Sequence, residues 1–198
     1  MFSLPPATQA LILTNVIAFL LQGVAGDWFD SLALWPFASG EFMPWQIVTY
    51  AFLHAGLTHL VFNMFGLWMF GAELERVWGS RRLAFFYFVS VLGAAAMQLL
   101  VAAWSGSEYP TVGASGGLFG LLVGFAMVFP NRRIVPLIPP IPMPAWLFVT
   151  LYGLAELAFG ITGSLAGVAH FAHLGGLAAG WLTIRYWRSQ FPFGRTRR

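Results

Sequence analysis

Six long apolar stretches with almost no charge inside them constrain this chain more than any other feature of it. They run near 8–24, 57–73, 83–104, 115–129, 145–161 and 169–187. Of 198 residues, 59% are hydrophobic and 9% are charged, against roughly 25% charged in a water-soluble domain. So little charge cannot cover so much apolar surface in water, and lipid is the expected solvent. About 20 helical residues cross a bilayer core, and a helix pairs its own backbone polar groups where no water is present to do so. The expectation is an all-α membrane protein, a bundle of six transmembrane helices forming one domain over 1–198.

The charges that do exist are placed unevenly. All ten basic residues are arginine. Arg76, Arg81 and Arg82 lie between the second and third stretches, and Arg132 and Arg133 between the fourth and fifth. Arg185, Arg188, Arg195, Arg197 and Arg198 end or follow the sixth. With six spans all of them fall on one side, and the bias of arginine toward cytoplasmic loops makes both termini cytoplasmic. Asp27, Asp30, Glu41 and Glu108 fall on the other side. The sequence pI of about 9.8 then reflects topology, and no nucleic-acid partner is expected. There is no cysteine, which excludes disulfides and thiol chemistry.

Between the first two spans lies a segment, 26–53, too long for a tight turn. It carries Trp28, Phe29, Trp35, Phe37, Phe42, Trp45, Tyr50 and Phe52, and is interrupted by Pro36 and Pro44. Aromatic rings settle at the membrane–water boundary, so this is read as a loop lying in the outer interface.

Polar residues inside lipid are costly and point to function by default. The second, fourth and sixth spans all run from outside to inside. Ser115 opens the fourth, His59 and Asn63 lie in the first turns of the second, and His173 sits one turn into the sixth. All four therefore share one layer near the outer surface. His59 and Asn63, four apart, lie on one helix face. Gly176 and Gly180 follow His173 on its own face, where small residues let another backbone approach. Gly116, Gly120 and Gly124 form a stripe turned away from Ser115 and are expected to pack a different neighbour. Ser115, just after Pro110 and at a helix start, sits where backbone N–H groups are unpaired and an anion is favoured. Alone, Ser115 reads as a helix cap and His173 as a link to another helix; together they read as a nucleophile and its base. Gly113 to Gly117 also match the hydrolase pattern G-x-S-x-G, but that elbow requires a preceding strand, and none is available.

At these residues the chain resembles the rhomboid family of intramembrane serine proteases. The resemblance is carried by His59-Leu60-Val61-Phe62-Asn63, by Gly113-Ala114-Ser115-Gly116, and by His173-Leu174-Gly175-Gly176-Leu177-Ala178-Ala179-Gly180. Glu75-Arg76 followed by Gly79-Ser80 resembles the family's element after the second span. It implies a Ser115–His173 dyad, with His59 and Asn63 stabilising the oxyanion beside the Ser115 N–H. It implies no cofactor and no metal, transmembrane protein substrates, and a multi-pass place in a bacterial inner membrane with the site opening outward. Substrate access would be lateral, past the fifth span, with the loop 160–167 as a movable cap.

Several polar residues stand outside that pattern. His170 is a weaker candidate for the base. His54 reads as an interfacial hydrogen-bonding residue, and Asn15 and Gln98 as inter-helix hydrogen bonders. Glu156, in the fifth span at a similar depth, is either a triad acid for His173 or, preferred on sequence grounds, a buried structural hydrogen bonder. A metalloenzyme is disfavoured, since no His-Glu-x-x-His helix exists and no carboxylate lies within one turn of a histidine.

Overall fold

The computed structural model describes residues 3–137, 139–164 and 168–190. Arg195, Arg197 and Arg198, and residues 165–167 of the glycine-rich loop, lie outside them. Six long helices account for most of the described chain: α1 (Pro6–Ala25), α2 (Leu57–Trp78), α3 (Ser80–Ser105), α4 (Ser115–Val128), α5 (Ala145–Thr162) and α6 (His170–Gln190). α2 is α-helical at both ends with a π-helical turn at Leu67–Gly71. A two-residue antiparallel pair, β1 (Arg133–Ile134) and β2 (Met143–Pro144), closes the α4–α5 connection.

α4 sits at the centre, with nine of its fourteen residues buried. Its glycines explain how. A Cβ on Gly116 would strike Ala94, and one on Gly120 would strike Ser90, so the stripe lies against α3 as its rotation away from Ser115 predicts. A Cβ on Gly176 would strike the Gly116 carbonyl, and one on Gly180 would come within 3.0 Å of the Gly120 Cα. The α4 backbone at those two glycines is therefore also the surface on which α6 rests, and the stripe serves two neighbours. Close approach by small residues is how helices associate where lipid is as apolar as leucine.

The outer helices are dressed differently. Leu13, Ile17, Leu20 and Leu21 on α1 are exposed, as are Leu151, Leu154 and Leu157 on α5. Thr8, Asn15, Gln46, Glu75, Glu156, His170 and His173 are buried. Apolar outside and polar inside is the arrangement of a protein dissolved in lipid. Among the described residues three helices are long and apolar enough to cross a membrane, or four if the bent pair Gln46–Phe52 and Leu57–Trp78 is one span. α4 is shorter, and α6 carries His170, His173 and Thr183 inward. A helix enclosed by protein need not be compatible with lipid around its whole circumference.

The segment between α1 and α2 is folded. The buried Gln46 accepts from the Trp35 N–H and donates to the carbonyls of Ser31 and Glu41. Trp35 and Trp45 donate through Nε1 to the carbonyls of Asp30 and Ser31. Leu34 and Thr111 exchange both backbone hydrogen bonds, and the Gly113 N–H donates to the Tyr50 carbonyl. The loop thus braces the strand-like approach to Ser115, while Trp28, Phe37 and Trp45 stay exposed on its surface. One expectation fails locally: Asn15 bonds within its own helix rather than across to another, donating to the Leu11 carbonyl one turn back.

Candidate active site

Ser115 is the first residue of α4, after an Ala114 cap. The helix's backbone ladder begins with the Leu118 N–H donating to the Ala114 carbonyl, so the N–H groups of Ser115, Gly116 and Gly117 precede it. Such orphan donors carry the positive end of the helix dipole. Gly113 turns the chain into this helix at φ 132°, a conformation L side chains rarely adopt. It is also where the site is tightest. A Cβ there would lie 2.7 Å from His59 Cε1, 2.9 Å from His59 Nε2 and 3.5 Å from Ser115 Oγ. The imidazole of His59 and the hydroxyl of Ser115 therefore flank the same point.

His173 Nε2 lies 2.8 Å from Ser115 Oγ. The two residues are 58 apart in sequence and meet because Gly176 lets α6 close onto α4 one turn further in. Three sides of the imidazole are held. Nε2 faces Ser115, Nδ1 lies 2.9 Å from Glu156 Oε2, and the Phe119 ring stacks on its face with centroids 4.2 Å apart and planes 8° from parallel. Sequence reasoning misses Phe119, although its position one turn after Ser115 on α4 is a readable signal.

On α2, the Ala55 N–H donates to His59 Nδ1 over a long 3.4 Å. A neutral imidazole that accepts at Nδ1 carries its proton on Nε2, the atom on the Gly113 and Ser115 side. Asn63 donates through Nδ2 to the His59 carbonyl at 2.9 Å, and its Oδ1 is buried without a protein partner. Amide nitrogen has a second N–H to offer. The structure thus brings Ser115, His173 and His59 together, while Asn63 lies directly behind His59 and is bonded to its backbone.

His170 does not face the serine. Its Nδ1 lies 2.7 Å from Glu156 Oε2 and its Nε2 3.1 Å from the Ser164 carbonyl. Glu156, His170 and His173 offer ligand atoms within 4.8 Å of one another. Two of those separations are hydrogen-bond lengths, so hydrogen bonding accounts for the cluster without a metal. His54, in the turn before α2, has its backbone clamped by the Gln22 amide of α1. Both of its ring nitrogens are buried without a protein partner, and the His59 ring stands edge-on 5.0 Å away. Burial, and then the neighbouring His59, hold its pKa down at about 4, so it is neutral at physiological pH.

Chemically, the arrangement offers a hydroxyl on a base, at a helix N-terminus, beside a second imidazole with an N–H to give. A sequence profile of the Rhomboid domain matches residues 41–190. The Rhomboid protease GlpG of Photorhabdus laumondii is 31% identical over 201 residues, covering 98% of this chain and 65% of that protein. The Rhomboid protease GluP of Bacillus subtilis is 29% identical, over 89% of this chain and 34% of that protein. Rhomboid protein 1, mitochondrial, of Saccharomyces cerevisiae is 33% identical, over 69% and 40%. The chain thus spans between a third and two thirds of the length of these relatives.

Proposed function

The chain belongs to the rhomboid family, and from that premise we propose that it is an intramembrane serine endopeptidase, cutting peptide bonds in or near the transmembrane segments of other membrane proteins. The observation that carries this reading is the 2.8 Å contact between Ser115 Oγ and His173 Nε2 at the N-terminus of α4. His173 takes the Ser115 proton as Oγ bonds to the scissile carbonyl carbon. The carbonyl oxygen becomes an oxyanion, received by the Ser115 N–H, His59 Nε2–H and an Asn63 N–H. The C–N bond then breaks, and His173 returns its proton to the leaving amine. Water attacks the acyl-serine ester, gives its proton to His173, and expels Ser115, which is reprotonated.

The one-sided arginines support an orientation for this reading. The six helices are six spans of one domain, both termini are cytoplasmic, and the site opens to the outer face of a bacterial inner membrane. A substrate helix must unwind to expose a carbonyl, so a segment held near its outer end is the expected target. Entry past α5 fits a helix whose apolar window is only 17% buried.

The test is direct. Purified protein is incubated with a panel of single-span membrane proteins, and the cut ends are mapped by mass spectrometry. Discrete cuts that vanish in Ser115→Ala and persist with a chelator are expected; cuts that survive in Ser115→Ala, or are abolished by the chelator and restored by zinc, would overturn the assignment. Sidedness is read by single cysteines in this cysteine-free chain, with Ser107→Cys labelled from outside and Ser80→Cys only from the cytoplasm.

A further inference from the structure

We propose that Glu156 is a positioning residue for His173, and that His170 keeps the shared Glu156 oxygen an acceptor toward His173, which makes His173 a base. The inference rests on the serine-protease reading above. It concerns a carboxylate on α5, a helix that otherwise buries only Ala145 and Val149.

Protons can be accounted for along one chain of contacts: Ser164 carbonyl, His170, Glu156, His173, Ser115. A carbonyl oxygen only accepts, so His170 Nε2, 3.1 Å from the Ser164 oxygen, must carry a hydrogen. Two arrangements then satisfy His170 Nδ1. In one, His170 is an imidazolium donating to an ionised Glu156. In the other, Glu156 is protonated and donates to a bare Nδ1. Both leave Oε2, 2.9 Å from His173 Nδ1, with only acceptor capacity toward His173. His173 Nδ1 must therefore be the protonated nitrogen, and a neutral His173 presents a bare Nε2 to Ser115 Oγ.

The opposite tautomer, useless as a base, needs either one more proton in the cluster or a lone pair left facing the Ser164 carbonyl. Glu156, His170 and His173 are all buried, where an unpaired polar atom is expensive. The same division of labour, a carboxylate that fixes the tautomer and orientation of the base, operates in soluble serine proteases, where its loss lowers kcat by about 10⁴-fold. Here the stacked Phe119 already restrains the ring, so a smaller loss is expected.

The rival reading is that Glu156 merely ties α5 to α6. The two separate on the wild-type chain labelled with ¹⁵N-histidine, since it has only four histidines. The His173 signals are those lost in His173→Ala. A neutral His173 protonated on Nδ1 is expected; protonation on Nε2 overturns the proposal whatever the activity. In turnover, Glu156→Gln should lose about 10- to 10³-fold in kcat, within the range set by soluble triads, with KM and melting temperature unchanged. Formate, a small carboxylate, should restore part of the activity of Glu156→Ala. His170→Ala should lose less than either, because it removes only the bias on Glu156. An unchanged kcat in a folded Glu156→Gln overturns the proposal. Should that variant fail to fold, the wild-type tautomer decides alone. Absence of both cleavage and fluorophosphonate labelling of Ser115 in the wild type would sink the protease reading instead, and leaves the tautomer measurement standing.

Discussion

Glu75 and Glu156 are both buried carboxylates, yet they sit at different ends of the bundle and in different company. Glu75, near the C-terminal end of α2, accepts four hydrogen bonds. They come from the N–H groups of Ala7 and Thr8 and the hydroxyls of Thr8 and Ser80. It caps the first turn of α1, opened by Pro6, and reaches the first residue of α3. None of those donors titrates near neutral pH. Glu156, at the serine end, shares one oxygen between two imidazoles, and one of them touches Ser115. The first carboxylate has its charge absorbed by fixed dipoles; the second exchanges hydrogen bonds with groups that gain and lose protons. A buried charge in a membrane protein is therefore not by itself a sign of chemistry. Whether its partners titrate is the better sign.

That contrast predicts that the serine end governs turnover and the Glu75 end governs stability, and substitutions at either end can break it. The largest effect belongs to Ser115→Ala and His173→Ala. Each should remove activity by a factor approaching the roughly 10⁶ seen for soluble serine proteases, with melting unchanged. The proposed oxyanion donors come next. Asn63→Ala or His59→Ala should each cost about 10²–10³ in rate, and the double variant more than either if both serve one oxyanion. A sharp fall in melting for Asn63→Ala with normal turnover per folded molecule would move Asn63 to the structural side.

Glu75→Ala should reverse the pattern. It strands two backbone N–H groups and two hydroxyls, and about 2–4 kcal/mol of stability should go with them, read as a lowered melting temperature. Turnover per folded molecule should hold; if it falls in step with melting, the two ends are coupled and the contrast fails. The smallest effect concerns His54. Its folded pKa, about 4, lies below the ordinary value near 6.5. Between those two pH values the unfolded chain takes up a proton that the folded one refuses, so stability falls as pH drops through that window. Melting curves of wild type and His54→Phe should converge in slope above pH 6.5 and diverge below it.

The layer of polar residues is legible in the sequence because helical spans convert sequence position into depth. Ser115, His59, Asn63, His173 and Glu156 can be placed near one surface from their distance to the span ends alone. Glu75 is visible there only as a motif fragment, since nothing in the sequence shows that the start of α1 folds down onto the end of α2. Depth says nothing about which helix faces which, so it leaves both roles of Glu156 open and does not show that His170 and His173 share its Oε2.

Composition and the length of the apolar stretches by themselves determined that the chain is helical, that lipid is its solvent, and which residues share a depth, because these follow from local backbone pairing and from transfer of side chains between water and lipid. Rotation and neighbourhood were decided only by the tertiary structure. Two helices can be correctly placed in depth and still face apart. It is the backbone contact of Gly176 with Gly116 that turns His173 onto Ser115, and the packing of α5 against α6 that brings Glu156 to the far side of the same imidazole.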